Sequence, residues 1–128
     1  MAKPICNKSN LSFSEDTRFI TQDMVSPYED MVTHITIPEG VEVINKEAFR
    51  SFDKLIAVDL PSSLTTIDQE AFRDCTGLTS ISFPATASLT TIGGEAFAGC
   101  TGLTSVTFPD SLSSIGGNAL RDCTNLKC

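Results

Sequence analysis

The chain has no tryptophan, a single tyrosine and a single histidine in 128 residues. With His34 as the only imidazole, acid–base catalysis at neutral pH has few candidate groups. Bases are outnumbered by acids, 9 to 16, for a net charge of −7, and no basic stripe runs along the sequence. Nucleic acid is therefore not an expected partner. No apolar run approaches the ~20 residues needed to cross a bilayer as a helix, so no membrane span is expected. The opening MAKPICNKSN lacks the apolar core of a signal peptide, and taken as written the chain is expected to be cytoplasmic. If a signal peptide were missing from the sequence, the cell surface or secretion would replace that expectation. Asn7 and Asn10 head N-x-S sequons, which would matter only in a secretory pathway. There is no phosphate-binding glycine loop. The five cysteines show no close C-x-x-C spacing. No metal and no cofactor is expected.

What the chain does have is one pattern written four times. Pro38, Pro61, Pro84 and Pro109, spaced 23, 23 and 25 residues apart, each end an apolar-x-x-apolar-x-apolar run. The runs are VTHITI, LIAVDL, LTSISF and LTSVTF, opening at Val32, Leu55, Leu78 and Leu103, and a truncated fifth unit opens at Leu126. Their last two apolar positions alternate with a polar residue, as in a half-buried strand, and threonine, valine and isoleucine suit that conformation. Proline has no N–H for a ladder, so the strand ends there. A second apolar pair follows in VEVI, LTTI, LTTI and LSSI, and then Ala48-Phe49, Ala71-Phe72, Ala96-Phe97 and Ala119-Leu120. Three residues later stands a column of Phe52, Cys75, Cys100 and Cys123. Gly93-Gly94 and Gly116-Gly117 follow the second apolar pair, where a tight turn with positive φ is expected. A fixed period of this size marks a solenoid, whose units bury their apolar faces against one another.

The pattern resembles the leucine-rich repeat, and closely its BspA-like subclass, L-x-x-I-x-h-P-x-x-L-x-x-I-G-x-x-A-F-x-x-C with h apolar. Residues 78–100 follow it nearly throughout, and the likeness covers residues 32–128. The asparagine of the common leucine-rich repeat is absent, so no asparagine ladder is carried over. The resemblance implies an α/β-type repeat solenoid, mostly β and loop with little helix. It would form a right-handed arc with one short parallel β-strand per repeat on the concave side. It also implies a surface role, since such repeats are often found in adhesins. Residues 1–31 are expected to form an N-terminal cap, read as a degenerate repeat over residues 8–31, and residues 32–128 the repeat domain. On a period of 24, Leu11 and Phe13 align with Ile35 and Ile37, and Ile20 with Ile44. A helical cap is the alternative, because SEDTRFITQDM also has the character of a helix start.

The cysteine column is expected to be buried packing, since free cysteine behaves as a small hydrophobe, with Cys128 outside the column and reactive. His34, Asp59 and Ser82 share the exposed strand face, one per repeat. Their order across the sheet puts the histidine at one side rather than between the other two, so a hydrolytic triad is not expected. The face is small and rich in hydroxyls, a pattern also seen on ice-binding solenoids. Ile56, Ala57 and Asp59 interrupt it, and threonine at solvated strand positions is common. The reading is a non-enzymatic protein-interaction module. Its protein ligand, of unknown identity, is expected at His34, Thr36, Ile56, Asp59, Ser82 and Thr107, with the first two repeats as the centre. The alternatives are a structural stacking or self-association unit and a fragment of a surface adhesin. The uncapped C-terminal end, with Val106, Phe108 and Leu126, is expected to support a weak homodimer.

Overall fold

Alternation in the opening run of each unit places one apolar side chain inward between two polar neighbours. The computed structural model, which describes residues 4–7 and 9–127, turns these runs into three-residue strands. In β4 (His34–Thr36) Ile35 is buried between exposed His34 and Thr36. Val58 takes the same place in β6 (Ala57–Asp59), and Ile81 in β8 (Ser80–Ser82). Before them come β1 (Ile5–Asn7), β2 (Asn10–Ser12) and β3 (Phe19–Ile20), then the single turn of helix α1 (Gln22–Val25) and a 3-10 turn over Ser26–Tyr28. The second apolar pair of each unit supplies β5 (Val43–Ile44), β7 (Thr66–Ile67), β9 (Thr91–Ile92) and β10 (Ser114–Ile115).

The strands assemble into two sheets. One has the order β1-β2-β4-β6-β8 and the other β10-β9-β7-β5-β3. All pairings are parallel except β1 with β2. The result is a β-solenoid of about five turns with 6% helix. Leu11 pairs with Ile35, and Ile20 with Ile44, the alignment expected from the period of 24.

A third side is made of turns, and it is joined between units as regularly as the sheets are. The Glu47, Phe49 and Ser51 N–H groups donate to Gln69, Ala71 and Arg73 carbonyls at 3.0, 2.7 and 2.8 Å. The alternate amides of Ala48, Arg50 and Phe52 close turns within the unit. This geometry needs left-handed backbone twice per unit. It falls on Glu47, Glu70, Glu95 and Asn118, with φ of 60, 56, 57 and 60°, and four residues later on Ser51, Asp74, Gly99 and Asp122, with φ of 65, 61, 75 and 60°. The expectation of positive φ at Gly93-Gly94 and Gly116-Gly117 is thus corrected. The left-handed residue is the one after each pair, and Glu95 is held there by the bond its N–H donates to Gly117 O in the next unit. The first glycine of each pair is required by close approach instead. A Cβ on Gly93 would stand 2.5 Å from the Gln69 amide nitrogen.

Alanine and phenylalanine divide the interior behind this third side. Ala48, Ala71 and Ala96 are buried where backbones meet, and Phe49, Phe72 and Phe97 fill the width between the sheets. The three rings stack, with centroids 5.3 and 5.4 Å apart and planes inclined by only 16 and 4°. Phe52, first of the cysteine column, packs edge-on against Phe49. Each column thiol then donates to the phenylalanine carbonyl of the unit before it. Cys75 Sγ reaches Phe49 O, Cys100 Sγ reaches Phe72 O and Cys123 Sγ reaches Phe97 O, all at 3.1 Å. A small apolar side chain that also carries a weak donor satisfies a buried carbonyl without widening the core.

Cys75 and Cys100 are fully buried, whereas Cys123 is half-buried because less of a unit packs over it. Cys128 lies outside the described residues. Burial, reinforced by Cys100, pushes the Cys75 thiol well above its ordinary range. Native labelling with iodoacetamide is therefore expected to spare Cys75 and Cys100, modify Cys123 slowly, and reach all three after denaturation; rapid native modification of Cys75 would contradict the packing. The same burial has a pH signature. Between the unfolded and the folded pKa the unfolded chain loses the Cys75 proton while the native chain keeps it, so stability falls as pH rises above about 9. Cys75→Ala should flatten that decline in urea melts taken from pH 8 to 10.5.

Candidate functional site

The exposed face of the first sheet holds the residues singled out from the sequence. Strand register sorts them into two columns. His34 lies beside Ala57 and Ser80, while Thr36 lies beside Asp59 and Ser82. All of His34, Thr36, Asp59 and Ser82 are exposed. His34 therefore sits in the column next to that of Asp59 and Ser82. Its Nδ1 is 2.9 Å from Thr33 Oγ1, and among the described residues no hydrogen bond joins the three. The face carries no assembled acid–base constellation. Ile56 stands just before β6. Its N–H donates to Thr33 O at 2.7 Å and its carbonyl accepts from Thr79 N–H at 2.9 Å. It takes the place that threonine has in the neighbouring units, yet it is 42% exposed.

Thr107 is also exposed, but the structure does not bring it beside Ser82. The fourth run, LTSVTF, is strand-like in composition and yet is not hydrogen-bonded as a strand. A strand needs a ladder partner, and the ladder stops at β8. The Ile37 N–H reaches Asp59 O at 3.0 Å and the Leu60 N–H reaches Ser82 O at 3.1 Å, but the Phe83 N–H makes no corresponding bond to Thr107. On the other two sides the same units stay joined. Ser114 pairs with Thr91, and the Phe97 N–H donates to Ala119 O at 2.9 Å. The units thus part on one side only, leaving an open cleft of about 560 Å³ between residues 79–87 and 105–111. Ile81, Phe83, Val106 and Phe108 are half-buried around it, less covered than Ile35 and Val58 at matching places. Leu126 packs onto the core, and the Lys127 N–H donates to Thr104 O at 2.8 Å.

A second feature escaped the sequence reading. On the third side Arg50 Nη1 bridges Glu47 at 3.0 Å and Glu70 at 3.1 Å, and Arg73 Nη1 bridges Glu70 at 3.1 Å and Glu95 at 3.0 Å. The hydrogen bond that Arg73 donates to Glu70 and the charge of Glu95 raise the Arg73 pKa further. The signal was present as Glu-Ala-Phe-Arg at 47–50 and 70–73, one period apart. The row ends where Ala98 replaces arginine. Among the described residues no group of three or more histidine, cysteine or carboxylate side chains is placed to hold a metal, and no helix is long and apolar enough to cross a membrane.

The repeat geometry has counterparts among known proteins. The profile of the BspA type leucine rich repeat region matches residues 5–127 in six copies. The chain belongs to the BspA-type leucine-rich-repeat family. A search of curated proteins finds no significant match. Among solved structures it is similar to a leucine-rich repeat protein from Bacteroides ovatus, with 29% identity and a TM-score of 0.74, over 99% of this chain and 31% of that one. It is also similar to the leucine-rich repeat protein of T. pallidum, with 30% identity and a TM-score of 0.55, over 77% of this chain and 57% of that one. The pneumococcal vaccine antigen PcpA matches at 28% identity and a TM-score of 0.60, over 71% of this chain and 28% of that one. The BspA-type chain therefore corresponds to less than two thirds of each of these proteins. Solenoids of this family are typically non-enzymatic and consistent with protein-interaction or adhesin-like roles.

Proposed function

We propose that this BspA-type solenoid is a non-enzymatic protein-interaction module that holds a protein ligand on its exposed strand face. The contact is centred on His34, Thr36, Ile56 and Asp59 and extends toward Ser82 and Thr107. The polar unit before Val32 serves as the cap of the stack. The observation that carries the reading is Ile56, an aliphatic side chain left 42% exposed at a position where both neighbouring units use threonine. Next to it His34 and Asp59 place the only ionisable side chains of β4, β6 and β8. Exposed apolar residues flanked by polar ones are the usual makings of a protein contact. An adhesin-like role, with which this repeat family is consistent, would place that contact at a cell surface.

A self-association reading has its own observation. Ile115 aligns with buried Ile44, Ile67 and Ile92 but is 50% exposed at the edge of the second sheet. One experiment separates the two. A photo-crosslinking residue is placed at position 56, 115 or, on the turn side, 51, in the chain expressed in its native cells. Heterologous adducts from position 56 but not from 51 are expected. Adducts of the chain with itself, confined to position 115, would favour stacking, and equal yields from 56 and 51 would overturn the strand-face site.

A further inference from the structure

The cleft between β8 and residues 104–108 is a break in an otherwise continuous ladder, and its walls are strand-forming sequences. We propose that it receives one extended polypeptide strand from a partner protein. That strand alternates apolar with small residues, and its one charge is a lysine or arginine at the end beside Asp110.

Backbone geometry argues for a strand rather than a compact ligand. Along β8 the amides facing away from β6 lack ladder partners, Phe83 among them, and residues 104–108 receive only the Lys127 bond at Thr104. Both walls thus offer rows of donors and acceptors to a segment lying between them, as when a peptide is added to a sheet edge. The wall from Thr79 to Phe83 would hold a segment about 16 Å long at the rise of an extended chain. The cleft's volume of about 560 Å³ is within the range of ligand-binding sites.

Side-chain chemistry narrows the occupant. Toward the core the cleft presents Ile81, Val106 and the tilted pair Phe83 and Phe108, whose ring centroids are 6.1 Å apart. Toward solvent it presents Ser80, Ser82, Ser105 and Thr107. An entering strand must therefore alternate apolar with small residues. Asp110, at the proline end of the walls, is the only ionisable residue lining the cleft, and the chain as a whole carries −7. Both favour a cation at that end of the guest and oppose an acidic one. The site borders the strand-face contact, since Ser82 is paired with Asp59 and lines the cleft, but it is built on the break beyond β8 and does not depend on a ligand at His34 and Ile56.

Hydrogen exchange on the full chain tests this. In the free protein the Phe83 amide should exchange at least tenfold faster than those of Ile37 and Leu60, its counterparts in the preceding units. The probe is a peptide carrying the chain's own run LTSISF followed by two lysines. It should slow Phe83 exchange saturably, at least tenfold. Replacing its lysines with glutamates should weaken that effect at least fivefold, and Asp110→Asn should narrow the difference between the two peptides to what the remaining net charge gives. His34→Ala, on β4 with β6 between it and the cleft wall, should leave peptide binding unchanged even if the strand-face ligand is lost. A Phe83 amide as protected as Leu60 in the free chain would show that residues 104–108 close onto β8 and that no strand site exists. Equal protection by a peptide with proline at its centre would show apolar adsorption without pairing. Either result, or no protection by the lysine peptide, overturns the proposal.

Discussion

Phe72→Ala is expected to destabilise the chain by about 3–5 kcal/mol, the usual range for losing a buried phenylalanine. The ring is fully buried and lies between Phe49 and Phe97 at 5.3 and 5.4 Å. Its removal leaves a void with stacked rings on both sides, and neighbouring turns cannot collapse into it. The Phe49 N–H to Ala71 O and Phe72 N–H to Ala96 O bonds, 2.7 and 2.8 Å, hold the backbone in place. A solenoid is stabilised by contacts between neighbours, so damage in a central unit also uncouples the units on either side. Urea denaturation should show the loss in midpoint, with broadening if the two halves separate. Leu120→Ala, at the same position in the last unit but only half-buried, should cost clearly less. A loss below about 1 kcal/mol for Phe72 would mean that the ring is not a structural anchor.

That central column was legible in the sequence because it is set by local chemistry repeated at a fixed distance. Alternation around Ile35 and Val58, proline after each run, and Ala-Phe 23 residues apart in the first two units are statements about single units. Stacking only multiplies them. The register Leu11 with Ile35 and Ile20 with Ile44 was readable for the same reason. What lies between units was harder to see. LTSISF and LTSVTF differ by two conservative exchanges, Ile81 to Val106 and Ser82 to Thr107, yet one pairs as β8 and the other does not. Pairing depends on how two units meet rather than on either run alone. The candidate contact residues were exposed as expected, because strand period decides which side faces water. Their grouping into columns required the register. The Arg50–Glu70–Arg73 row sat in plain repeat, but surface charges at that spacing are ordinary until a structure shows them bridging successive turns.

The two glycines of the third unit supply the sharpest contrast between sequence expectation and structure. If Gly93-Gly94 were needed for positive φ, alanine at the left-handed position would be strained and its neighbour indifferent. The backbone gives a different asymmetry, since neither glycine has positive φ and Glu95 carries it at 57°. A Cβ on Gly93 would lie 2.5 Å from Gln69 N and 2.7 Å from Asp68 C, both backbone atoms that cannot swing aside. The neighbouring ladder bond, Gly93 N–H to Ile67 O at 2.8 Å, would have to lengthen to relieve the clash. Gly93→Ala is therefore expected to cost about 1–3 kcal/mol, as overpacking does in a core. On Gly94 the nearest atom to a Cβ would be Gly117 O at 3.4 Å, an ordinary contact. Gly94→Ala should then be neutral or stabilise by about 0.4–1 kcal/mol, because alanine restricts the unfolded chain. Paired urea melts of the two variants decide the matter. A destabilised Gly94→Ala beside a silent Gly93→Ala would restore the conformational explanation and show that the turns do not approach as closely as the structure has them.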